Sequence, residues 1–90
     1  MKDKWFAIYS GIEHSLFLAQ VVKSRKDTQS SIITEVLVMK NVMRLDLETF
    51  KIIKKDEFAP RNPIFMKNTH FVDQQSAQRE FISLFFERNE

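Results

Sequence analysis

Cysteine is missing from this 90-residue chain, and glycine and proline are nearly missing, at one and two residues. Without cysteine there is no disulfide scaffold, no thiolate zinc site and no sulfur nucleophile. The absence suits a reducing compartment. A single glycine cannot build a phosphate-cradling loop. Other residues must therefore make most of the turns, and Gly11 is expected where φ must be positive. No apolar run approaches the ~20 residues of a membrane span. The segment after Met1-Lys2-Asp3-Lys4-Trp5 is too short and mixed for the apolar stretch of a signal peptide. The expectation is a cytoplasmic chain with no membrane contact.

Histidine is also scarce, with only His14 and His70. His14 lies between Glu13 and Ser15, but neighbours on extended backbone point to opposite faces, which argues against a Ser-His-acid arrangement. His70 has no nameable partner for general-base work. Asp56-Glu57 is a lone acidic pair, without His-x-x-x-His or EF-hand spacing around it. No catalytic, cofactor or metal site is expected.

Phenylalanine is plentiful: nine, against one Trp and one Tyr. Phe58, Phe65, Phe71, Phe81, Phe85 and Phe86 all fall in the last third of the chain. Phe brings large apolar area and no polar handle. Either a dense core or a second surface must cover it.

Charge is close to balance, with 14 basic and 12 acidic side chains. It is unevenly spread. Lys51, Lys54, Lys55, Arg61 and Lys67 outnumber Asp56 and Glu57 in the middle. Asp73, Glu80, Glu87 and Glu90 outnumber Arg79 and Arg88 at the end.

Trp5–Tyr9 is short, apolar and aromatic, and reads as a strand. Ser15–Lys23 is apolar on both faces, which suggests a central strand covered on both sides. Ser24–Ser31 is the most polar stretch and reads as an exposed loop or hairpin tip. Ile32–Met39 resumes the β-branched pattern, so an antiparallel hairpin joins the two runs. Asn41 tolerates the left-handed backbone of a turn. Residues 42–58 carry both strand-like and helix-like spacing; a strand, or a short turn followed by a strand, is favoured. Ala59-Pro60-Arg61-Asn62-Pro63 breaks that element, and Ile64-Phe65-Met66 adds a brief edge strand.

The end of the chain is the clearest element. Asp73 is a good N-cap, Val72 can staple onto Ala77, and nothing breaks a helix from Gln74 to about Arg88. At helical spacing Ala77, Phe81, Leu84 and Phe85 share one face, with Arg79, Glu80, Ser83 and Glu87 opposite. Ile82 and Phe86 lie beyond the edge of that stripe.

These signals imply an α+β fold in one domain over residues 1–90. A small twisted antiparallel sheet of three to five strands occupies the strand-rich residues 1–67, and an amphipathic helix spans about 73–88. By element order alone the sheet could curl into an SH3-like barrel. For function, the leading expectation is a small non-catalytic binding protein, a regulator or inhibitor of another protein. Short Cys-free, Phe- and Lys-rich chains are common in phages and mobile elements, and such a source is expected here. Phe81, Ile82, Phe85 and Phe86 are the expected protein contacts, with a homodimer as one use of the wide stripe. The first alternative is nucleic-acid binding through Arg25 and Lys26 of the loop at 24–26 and through Lys51, Lys54, Lys55, Arg61 and Lys67 of segment 51–67. The second is a nuclease-like enzyme using His14 or His70.

Overall fold

The computed structural model describes residues 4–27, 29–30 and 32–88. The charged start Met1-Lys2-Asp3, Thr28 and Ser31 of the polar stretch, and Glu90 of the acidic end lie outside the described residues. Among the described residues, five strands and one α-helix follow in order: β1 (Trp5–Ser10), β2 (Ser15–Lys26), β3 (Ile33–Asp46), β4 (Ile52–Phe58), β5 (Ile64–Lys67), a 3₁₀ turn at Asn68–His70, and α1 (Gln74–Arg88). The fold is α+β, with every strand pairing antiparallel.

Strand order is β1-β2-β3-β4, and β5 also pairs with β3. β2 runs along one edge of β3 from Thr34 to Asp46. β4 and β5 share the other edge end to end. Phe58 lies opposite Met39 and Ile64 opposite Val36. The two prolines of the 59–63 segment cannot donate to the ladder, so this stretch leaves β3 and splits what would otherwise be one long strand.

The continuous apolar run of β2 has a direct explanation: β2 is sandwiched. On one face Phe6, Phe17, Ala19, Val36, Met39 and Met66 form a core. Phe71 packs edge-on against Phe6 there, with ring centroids 6.2 Å apart, and Phe58 tilts against Phe17. On the other face Ala7, Leu16, Leu18 and Leu45 pack against Ala77 and Phe81 of α1. Neighbours such as Phe6 and Ala7 serve opposite faces, as strand alternation dictates.

The helix follows its sequence signals closely. Asp73 Oδ1 accepts from the Ser76 N–H at 2.7 Å, capping α1. Val72 joins the apolar cluster beneath the helix.

Three expectations need correction. The stretch Ser24–Lys26 is not a loop: it extends β2, with Arg25 opposite Glu35 and Lys26 opposite Thr34. Main-chain pairing to β3 outweighs the polarity of exposed side chains. Gly11 does not have positive φ; His14 takes that role in the β1–β2 turn, with φ 49°. Asn41 is left-handed at φ 52°, yet the strand continues through it. The β2–β3 register shifts beside it, between Leu18 and Gln20, so Asn41 makes a bulge that bends β3 rather than a turn that ends it.

The bend curls the sheet without closing it into an SH3-like barrel. Beyond β1 the next strand-like contact is an isolated bridge from Val72 to Trp5, and no described ladder joins β1 to β5.

Candidate binding groove

Helix α1 packs mainly on β1 and β2, with Leu45 of β3 joining the cluster beneath it, and leaves the β4 side of the same sheet face open. The result is a groove of about 750 Å³ between the helix and β4. Its floor is one cross-strand row. Leu18 lies opposite Met43, and Met43 opposite Lys54. The row passes from buried Leu18 through half-buried Met43 to exposed Lys54. Phe81 and Ile82 form the helical wall, with Gln74 and Gln78 above them. Each glutamine side chain can both donate and accept. An apolar floor bordered by carboxamides and by Lys54, Lys55 and Asp56 can take apolar side chains and hold a main chain beside them.

The groove joins two sets of residues that looked separate along the chain. Phe81 and Ile82 of the helix face Lys54 and Asp56 of β4 across it. The four expected protein contacts nevertheless differ in kind. Phe81 is only 8% exposed and belongs to the core under the helix. Phe85 is half-buried against that core, with its ring 5.9 Å from Phe86. Ile82 and Phe86 are open to solvent, at 53% and 65% exposure.

The seven basic residues do not share one face. Lys51, Lys54 and Lys55 belong to or adjoin β4, alongside the C-terminal half of β3. Lys26 and Lys67 flank the start of β3, opposite Thr34 and Ile33. Arg25 is spent on Glu35: its Nε donates to the carboxylate at 2.7 Å and its Nη2 lies 2.5 Å from the same oxygen. Arg61 borders a second concavity of about 570 Å³, between the β1–β2 turn and the 59–63 segment, with Phe17, Phe58 and Phe65.

Both histidines are exposed. Beside His14, the buried Ser15 hydroxyl donates to the Glu13 carbonyl at 2.9 Å and accepts from Arg44 Nε at 3.0 Å. Its bonds serve the turn. Among the described residues no three His, Asp or Glu side chains gather as metal ligands. No described helix is long and apolar enough to cross a membrane.

Two carboxyls lie below their ordinary value. Asp46 is lowered chiefly by the Glu48 main-chain N–H, then by that of Thr49, with Arg44 and His14 adding smaller effects. Asp73 is lowered by the Ser76 N–H and then by the Ser76 hydroxyl. Both shifts come from hydrogen bonds that favour the charged form, and both belong to turn and cap structure rather than to the groove.

Sequence reasoning singled out Lys54 and Lys55 only as nucleic-acid contacts and missed the β3 side of the groove. Met43 and Lys54 become neighbours only through strand register. The alternation of Leu45 and Leu47 with acids was the one local hint that residues near 43 line a sheet face. No family model matches the chain, and neither a curated protein nor a solved structure matches it.

Proposed function

We propose that this chain is a non-catalytic binding protein, a regulator or inhibitor of another protein, and that the groove between α1 and β4 receives a segment of its target. The observation that carries this reading is that exposed Ile82 of the helix and half-buried Met43 of the floor line one open groove, together with Gln74 and Gln78. Ile82 lies off the face that holds the helix to the sheet, so its apolar surface contributes little to the fold. Apolar side chains of a target would enter the groove. The carboxamides would meet its main chain.

The test is affinity capture from the native host's lysate with the wild-type chain and an Ile82→Asp/Phe86→Asp variant, each with and without nuclease. Circular dichroism first establishes that the variant is folded. The expected result is one or more proteins held by the wild type, indifferent to nuclease and lost with the variant. Equal capture by both chains, or capture that vanishes with nuclease, overturns the reading; the latter would favour nucleic-acid contact instead.

A further inference from the structure

We propose that β4 is the edge through which two copies of this chain pair, antiparallel, into one continuous sheet. β4 ends the strand order and pairs only with β3 among the described strands. Alternate N–H and C=O groups along it therefore point away from the sheet. All of Ile52–Glu57 is exposed, and Phe58 is half-buried. A free edge of this length is a template for another strand.

Proteins commonly blunt such an edge with lysine. Lys54 and Lys55 would do so here if they stood alone. Asp56 and Glu57 follow them directly, so the strand has a basic first half and an acidic second half. A second copy laid antiparallel reverses that order and sets basic against acidic at both ends. A parallel copy sets like against like. The strand's charge pattern thus selects its own antiparallel copy.

Geometry narrows the register. A two-fold axis between identical antiparallel strands must stand normal to the sheet, so that opposed side chains share a face. Some residue then meets its own copy at the axis. With Lys55 there, Lys54 falls opposite Asp56 of the second copy. The two Lys55 side chains are long enough to reach the diagonal Glu57 carboxylates. The pairing does not rest on the proposed groove, but it has a consequence for it: the axis leaves both grooves opening on the same side of the dimer.

The experiment is sedimentation equilibrium of the full chain over a range of concentration and salt. Two charge-reversed variants are compared with it, Asp56→Lys/Glu57→Lys and Lys54→Glu/Lys55→Glu, each verified as folded by circular dichroism. Wild type is expected to dimerise, and to do so less as salt rises. Each variant alone is expected to self-associate at least about tenfold more weakly. Mixed in equal amounts, the two are expected to recover a heterodimer. The proposal is overturned by a wild type that stays monomeric throughout, by a dimer indifferent to salt and charge reversal, or by a mixture no tighter than its components.

Discussion

Trp5 and Val72 exchange two main-chain hydrogen bonds, each 2.9 Å long. This reciprocal pair fastens the segment before α1 to the outer edge of β1. With Asp73 capping directly behind it, the helix is launched mainly across β1 and β2. The open strip along Met43 and β4 is the geometric remainder.

The helix stripe is expected to divide under substitution. Phe81→Ala removes a side chain from the core beneath the helix and should cost about 3–5 kcal/mol. Phe86→Ala alters a solvent-exposed ring and should stay within about 0.5–1 kcal/mol. Urea denaturation of the two variants checks this. Similar losses would place Phe86 in the core.

Arg25 holds a carboxylate that has little access to water. The Glu35 side chain is 10% exposed, that of Arg25 66%. Removing the guanidinium strands a mostly buried charge, so Arg25→Ala is expected to destabilise by about 1–3 kcal/mol. Arg25→Ala with Glu35→Gln should recover part of that loss. A double variant no more stable than Arg25→Ala alone would show that the pair is inconsequential.

Phe50 sits at φ 57° in the β3–β4 turn and is 54% exposed. Left-handed backbone is costly for a side chain with Cβ. Phe50→Gly relieves that strain while loosening the unfolded chain. The expected net effect is a gain of about 0.5–1 kcal/mol, read as a rise in thermal midpoint. A fall would mean that the ring contributes packing the single chain does not display.

Acid sensitivity follows from Asp46 and Asp73. Both are lowered from 3.8 in the folded state. As pH falls, the unfolded chain takes up these protons first. The stabilisation is thus present above the unfolded value and lost as pH drops through the lower folded values. In Asp46→Asn/Asp73→Asn the caps keep an acceptor but lose the titration. The difference in urea midpoint between about pH 6 and about pH 3 should shrink relative to wild type. An unchanged difference would assign the acid response to other carboxyls.

Local signals were legible where backbone chemistry is local. Asp73 with the uninterrupted Gln74–Arg88 gave the helix and its cap. Two prolines gave the break between β4 and β5. The apolar run of β2 gave its burial on both faces. Polarity misled at Ser24–Lys26, because a strand needs only a pairing neighbour, and long β3 supplies one. Gly11 misled because His14 accepted the left-handed position instead.

The fate of the phenylalanines was decided only by tertiary structure. The sequence by itself determined an α+β domain, an amphipathic C-terminal helix, and more Phe than one helix face can cover. Which of those rings are buried depends on how the sheet is bent at Asn41, where the helix is launched by the Trp5–Val72 pair, and which strand is left at the edge. The bend and the two-sided sheet gave Phe58 and Phe71 one core and Phe81 and Phe85 the other, and left Phe65 and Phe86 in solvent. The same register set Lys54 beside Met43 and made β4 an edge. Periodicity along a chain records which residues can share a face. Only pairing between distant strands records which faces meet.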